Sequence, residues 1–228
     1  LWVSSEDYRN DLRIGMDMVK QIADSYRRIR NTMKFIIGNL SDFNSEDALP
    51  YKDLTDVDKW ILHHLYQLSN NVIEHYSKYE FHMVYRRILN FCAVELSSIY
   101  FDISKDILYI ELLDSKTRRS NQTVLNEMYK TLVRLIAPIL AFTAEEIWQF
   151  NKEEGTVHTQ RYYQLNEEYN NPVVEEKISR LVSIKKDVLK ALEEKRKNKE
   201  IKTSLETEIT IYTESTEVKN MIEEMGID

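Results

Sequence analysis

Residues 26–35 read YRRIRNTMKF. Arg27, Arg28, Arg30 and Lys34 fall within this stretch, with Tyr26 and Phe35 at its ends and no acid between them. Guanidinium and ammonium groups at that density hold phosphate oxygens, and flat rings beside them stack on unpaired bases. The chemistry on offer is the grip of a polyanion, not bond-making. A plainer origin gives the same pattern: a helix keeps its outer face in water with Arg and Lys, whose stems also cover apolar surface.

The grip requires a helix that lines these groups up. Met18, Ile22, Tyr26, Ile29, Met33, Ile36, Ile37 and Leu40 recur at three- and four-residue steps and predict a helix over residues 17–40. Asp17 is its expected cap and Gly38-Asn39 its end. At about 100° per residue, with Arg27 at zero, the apolar set spreads from roughly 180° to 280°. Lys20, Arg30, Asn31 and Lys34 fall within about 60° of Arg27, opposite the core face. The stripe from Lys20 to Lys34 is about 21 Å long, enough to meet several consecutive phosphates. Phe35 falls near 80°, beside the stripe, which makes it the stacking candidate.

Other basic groups rank behind these. Arg86 and Arg87 follow Tyr85 in YRRIL, and Lys116, Arg118 and Arg119 open SKTRRSNQT. Basic residues at a helix start oppose the macrodipole, so helix stability alone does not explain the second group. The run KALEEKRKNKEIK interleaves its lysines and arginine with Glu193, Glu194 and Glu200 and reads as a solvated, salt-bridged face. His63, His64, His75 and His82 lack the acids or cysteines of a zinc site at any known spacing. No glycine-rich phosphate loop and no Ser/His/Asp order is present, so no catalytic residues are assigned.

The whole chain bounds these readings. It has 228 residues and a formal net charge of −7, which argues against a general nucleic-acid binder and confines any such contact to a local surface. Only 4 Gly and 3 Pro favour long, unbroken helices. The one cysteine, Cys92, excludes an internal disulfide and a cysteine-rich metal site and suits a reducing, cytoplasmic setting. No apolar run reaches the length of a membrane span. The opening LWVSSEDYRNDLR lacks the basic and apolar regions of a signal peptide and reads as the middle of a longer protein.

Further helices are expected at about 56–76, 81–101 and 117–137, the last stopping near Pro138. Another starts at Thr143, where TAEE reads as a capping box with Glu146 reaching back. Residues 155–172 read as loop and 173–200 as a long helix. TEITIYT at 207–213 alternates like a strand, and TEVKNMIEEMG like a short closing helix. The expected organisation is a connector at 1–14, a helical bundle at 15–155, and a long helix with a small α/β subdomain at 156–228. A single strand needs a partner, which the sequence does not identify.

Taken in order, these stretches resemble the isoleucyl-tRNA synthetases, most closely the bacterial ones. LWVSSEDYRNDLRI resembles the segment after the family's catalytic domain, and YRRIRNTMKFIIGNL the first helix of its anticodon-binding domain. YEFHMVYRRILNFCAVELSSIYFDISKDILY follows in order, and RRSNQTVLNEMYKTLVRLIAPILAFTAEEIW is the most specific match. VLKALEEKRKNKEIKTSLETEITIY resembles the tail, although the family's usual glycine near Thr203 is absent. Valyl- and leucyl-tRNA synthetases share the fold but less of this wording, especially SSEDY and RRSNQT.

The resemblance implies a mainly α fold, the helical anticodon-binding bundle of a class I aminoacyl-tRNA synthetase with a small α/β appendage. It implies a parent ligase that joins isoleucine to its tRNA with ATP and magnesium, and in bacterial members a cysteine-rich zinc module at the tail. The family's H-I-G-H and K-M-S-K-S signatures are absent, so this stretch would bind isoleucine tRNA without activating an amino acid. It would act as part of a monomer beside the catalytic and editing domains of the same parent. The resemblance puts Lys20, Arg27, Arg30, Asn31, Lys34 and Phe35 against the anticodon stem-loop, with Arg86, Arg87, Arg118 and Arg119 behind them. It leaves Trp60, Trp148 and Pro138 as structural. The rivals are the corresponding domain of a valyl or leucyl enzyme and a helical protein-interaction module.

Overall fold

The computed structural model describes residues 1–12, 14–203, 207–216 and 218–220. They fold as two compact units, Leu1–Asn171 and Pro172–Asp228. Helices dominate the first: α1 (Trp2–Ser5), α2 (Met16–Gly38), α3 (Asp56–Ser77), α4 (Phe81–Asn90), a π-helical stretch (Phe91–Tyr100), α5 (Phe101–Ile110), α6 (Lys116–Ile136) and α7 (Ala141–Phe150). The second unit contains α8 (Pro172–Lys197).

The core forms where the apolar periodicities of α2, α3, α4 and α6 meet. Ile29, Met33 and Ile36 of α2, Ile61, Leu62, Leu65 and Val72 of α3, Val84 and Ile88 of α4, and Val124, Leu125, Met128, Leu132 and Val133 of α6 are at most 1% exposed. Each such side chain contributes about 1.5–3 kcal/mol when buried. Thr55 caps α3, its hydroxyl accepting from the Asp58 amide at 3.2 Å. Ser115 does the same for α6 at 3.4 Å. At α2 the cap position is Gly15, with no side-chain bond, and Asp17 sits in the first turn.

The helix expected to end at about residue 101 continues to Ile110 through the π-helical stretch. From Phe91 to Tyr100 an α-helix makes about two and a half turns, which would set the two rings on opposite faces. Both are buried, at 1% and 0% exposure. The wider π turn brings them to one side, and the Ser97 and Ser98 hydroxyls donate to the Cys92 and Ala93 carbonyls five residues back. Cys92 lies inside this turn, and burial pushes its thiol up to about 12.

The first unit extends past the boundary expected at 155 because residues 156–171 pack back onto it. The Tyr162 ring stacks on Tyr76 at 6.0 Å, and Arg134 lies over both Trp148, at 4.8 Å, and Tyr163, at 5.7 Å. The Asn171 amide donates to His63 at 3.0 Å, and its side chain to the Tyr51 hydroxyl at 3.1 Å. At the other end α1 packs on α4.

The strand expected at 207–213 does not form: these residues carry no ladder, and no strand occurs among the described residues. Alternation gives a segment two faces, but a ladder needs a second row of N–H and C=O groups. Within the second unit, Ile209, Ile211 and Tyr212 instead line a groove with Val188 and Leu192 of α8. Of the closing helix, residues 216 and 218–220 are helical; the rest lies outside the described residues.

Candidate nucleic-acid interface

Lys20, Arg27, Arg30, Asn31 and Lys34 are all exposed along one side of α2, and Arg28 is exposed beside them. Ile29, Met33 and Ile36 are buried on the other side, so the helix holds its cations out by burying its apolar face. Two acids on the same helix temper the stripe. Asp24 accepts from Arg27 at 2.6 Å, and Asp17 lies 3.7 Å from Lys20. Arg28 and Lys34 carry no ion pair among the described residues.

α7 borders the stripe on one flank. The Tyr26 and Thr143 hydroxyls share a hydrogen bond at 3.1 Å, and about one turn further along both helices Arg30 donates to Glu146 at 2.8 Å. α7 is therefore tied to α2 at two points, Thr143 to Tyr26 and Glu146 to Arg30. This corrects the expected capping box. The helix starts at Ala141 with Leu140 as cap and no side-chain bond, while Thr143 and Glu146 face α2. A tertiary hydroxyl and a guanidinium have outcompeted the local cap. Glu146 thus borders the basic stripe, although its place in TAEE reads as helix-end chemistry.

Phe35 marks the other flank, though not as an open platform. Its ring stacks on Phe101 of α5, with centroids 4.2 Å apart, and is only partly exposed. Phe101, the first residue of α5, covers the ring on that side. One face of the ring is therefore taken by Phe101, and only the partly exposed remainder is open to a base.

Arg118 and Arg119 are corrected as well. Arg118 is only 6% exposed and grips Asp42 with two bonds, 2.5 and 3.1 Å, while also donating to the Leu108 carbonyl at 3.3 Å. Arg119 donates to the Asp42 carbonyl at 3.0 Å and the Gln122 side chain at 2.8 Å, with Asp47 at 3.7 Å. Gln122 completes the clamp by donating to Asn39 O and Asp42. Hydrogen bonding from Arg118 holds the Asp42 carboxyl below its ordinary value. These arginines fasten the loop between α2 and α3, and their guanidinium groups are turned into the protein.

The next two letters of RRSNQT serve a second acid, this one fully buried. Asp58 is 0% exposed and accepts from Tyr100 at 2.5 Å, Ser120 at 2.5 Å and Asn121 at 2.9 Å. Burial raises its pKa, against the pull of those hydrogen bonds. The most recognisable motif of the sequence is therefore a knot joining α3, α6 and the π-helical stretch.

Arg86 and Arg87 are exposed on α4, which the Tyr85 hydroxyl ties to Ser25 of α2 at 2.9 Å. They carry no ion pair among the described residues. The histidines are used singly: His64 lies 3.1 Å from Glu95 and His75 2.8 Å from Glu80. Among the described residues no three His, Cys, Asp or Glu side chains converge to hold a metal, and no helix is long and apolar enough to cross a membrane. Trp60 and Trp148 are buried at 2% exposure. In the second unit, Lys195 pairs with Glu200 and Arg196 with Glu193 on a solvated face.

Residues 58–211 match the model of the family described as the anticodon-binding domain of tRNA ligase. Among curated relatives, the isoleucine–tRNA ligase of Persephonella marina is 43% identical over 217 residues, covering 92% of this chain and 23% of the relative. Those of Caldanaerobacter subterraneus subsp. tengcongensis and Syntrophomonas wolfei subsp. wolfei are each 45% identical, covering 94% and 93% of this chain and 24% and 23% of theirs. The chain thus spans about a quarter of the length of the relatives it matches.

Proposed function

Since the chain belongs to the family of tRNA-ligase anticodon-binding domains, we propose that the α2 face carrying Lys20, Arg27, Arg30, Asn31 and Lys34 holds the anticodon stem-loop of isoleucine tRNA. The parent would then be an isoleucine–tRNA ligase acting with ATP. The observation that carries the reading is that four cations share one exposed helix face on a chain of net charge −7. Counterion release then supplies affinity, and the acidic remainder disfavours RNA elsewhere. The isoleucine assignment is supported by the relatives' names and by the wording of RRSNQT and SSEDY.

Contacts to phosphate orient the RNA without reading it; the sequence is read from bases unstacked in a loop. Arg27 and Arg30 would serve as forked phosphate donors, and Lys20 and Lys34 as point charges at either end. Asn31, between them, offers a donor and an acceptor to a base edge. Arg86 and Arg87 on the neighbouring α4 are the second rank.

Cys92 is the only cysteine and is buried, and no metal-binding triple converges among the described residues. ATP with magnesium and any zinc would fall to other parts of the parent, whose catalytic and editing domains are this domain's proposed neighbours. The test is binding of the anticodon stem-loop by wild type and Arg27→Glu/Arg30→Glu, with a valine stem-loop as competitor. The reading expects preference for the isoleucine RNA and its loss in the double variant. Equal binding by both proteins would contradict it.

A further inference from the structure

With the Phe35 ring stacked on Phe101, the basic stripe still has an aromatic neighbour that its sequence pattern does not single out. Phe142 is 95% exposed, more than any other large apolar side chain among the described residues. Single exposed apolar residues are ordinary on protein surfaces. Its place in the fold gives this one meaning. It is the second residue of α7, directly before Thr143, whose hydroxyl meets Tyr26 of α2. It is also four residues before Glu146, which holds Arg30.

Residues at that spacing are neighbours on a helix surface, with Cβ atoms about 5–6 Å apart. Thr143 is buried, so the face of α7 toward α2 is occupied, and Phe142 stands on the solvent side about one turn from the Arg30–Glu146 pair. The two acids within a turn of it are engaged, Glu145 accepting from Thr156 and the Val157 amide and Glu146 from Arg30. An open ring beside a row of cations is the arrangement that holds single-stranded nucleic acid, with charge on the backbone and a ring under a base.

We propose that Phe142 is a stacking platform for an unpaired base of the RNA whose backbone lies along the α2 stripe. The proposal rests on the tRNA-binding reading above and adds a residue and a chemical preference to it. The ring favours RNA with a splayed base over RNA that is fully paired, because a paired and stacked base has no free face.

The test compares wild type, Phe142→Ala, Phe142→Trp and Arg27→Glu/Arg30→Glu on two RNAs, the anticodon stem-loop of isoleucine tRNA and a blunt duplex of the same stem. The exposed ring leaves the fold indifferent to these changes, which far-UV circular dichroism checks. Phe142→Ala is expected to weaken stem-loop binding roughly 5- to 100-fold with the salt slope unchanged. Phe142→Trp retains binding, and duplex binding does not respond to either change. If Phe142→Ala binds the stem-loop like wild type while the arginine variant does not, the stacking role is overturned and the stripe reading stands. An equal loss on stem-loop and duplex also overturns it. If the arginine variant too binds like wild type, the tRNA reading fails together with the proposal.

Discussion

Arg30 on α2 and Glu146 on α7 meet at 2.8 Å, with both side chains about half exposed. The contact lies one turn beyond the Tyr26–Thr143 hydrogen bond, so the two helices are pinned at two points. Arg30 therefore belongs to two systems. It is a member of the basic stripe and also the anchor of its border. An exposed pair of this kind adds little to stability, because water and salt screen it. Its larger effect is on charge: Glu146 competes with any phosphate for the guanidinium.

Glu146→Gln should accordingly raise RNA affinity. The amide still accepts a hydrogen bond from Arg30 but no longer offsets its charge. An increase of about two- to fivefold is expected, with a steeper salt dependence. Thermal stability should hardly change. A fall in affinity would mean that Glu146 orients Arg30 for RNA and does not compete for it.

Arg118→Ala should behave in the opposite manner. It leaves Asp42 without its main partner and opens the clamp on the loop between α2 and α3. Breaking such a largely buried pair costs about 2–4 kcal/mol. Chemical denaturation measures it. The RNA salt slope, read below the unfolding transition, should match wild type. A reduced slope would return Arg118 to the interface.

Asp42 sets an acid limit through the same clamp. Its folded pKa lies below the ordinary 3.8. The stability it contributes is complete above that ordinary value and is lost as pH falls from there through the depressed folded value. Urea midpoints measured from pH 5 to pH 2.5 should fall for wild type across this interval. Asp42→Asn should start lower and fall less. Equal slopes would remove Asp42 as the cause.

Asp58→Ala should be the most damaging of these changes, at about 3 kcal/mol or more. Tyr100, Ser120 and Asn121 would all lose their buried acceptor. Asp58→Asn should cost less, because it retains one acceptor and removes a buried charge. If Asp58→Ala unfolds at the wild-type midpoint, the knot does not hold the helices together.

Much of this was legible one helix at a time. The three- and four-residue apolar steps located α2, α3 and α6, since burial of one helix face is a local pattern. Partners distant in sequence were not legible. RRSNQT read as exposed basic residues at a helix start, because nothing in one dimension places Asp42 and Asp58 opposite it. TAEE read as a cap for the same reason: its partners, Tyr26 and Arg30, lie over a hundred residues away. The π-helical stretch stayed hidden because Ile99 continues an α-helical step, whereas the structure buries Tyr100. Phe142 looked like one more apolar letter until α7 was set beside α2.

The most direct test of the central claim is a salt titration of anticodon stem-loop binding by wild type and Arg27→Glu/Arg30→Glu. Removing one cation from a phosphate should lower the slope of log affinity against log salt by about 0.7–0.9. The account predicts weaker binding and a slope reduced by about 1.5 or more in the double variant. A variant with wild-type affinity and slope would show that the stripe on α2 only keeps a helix in water.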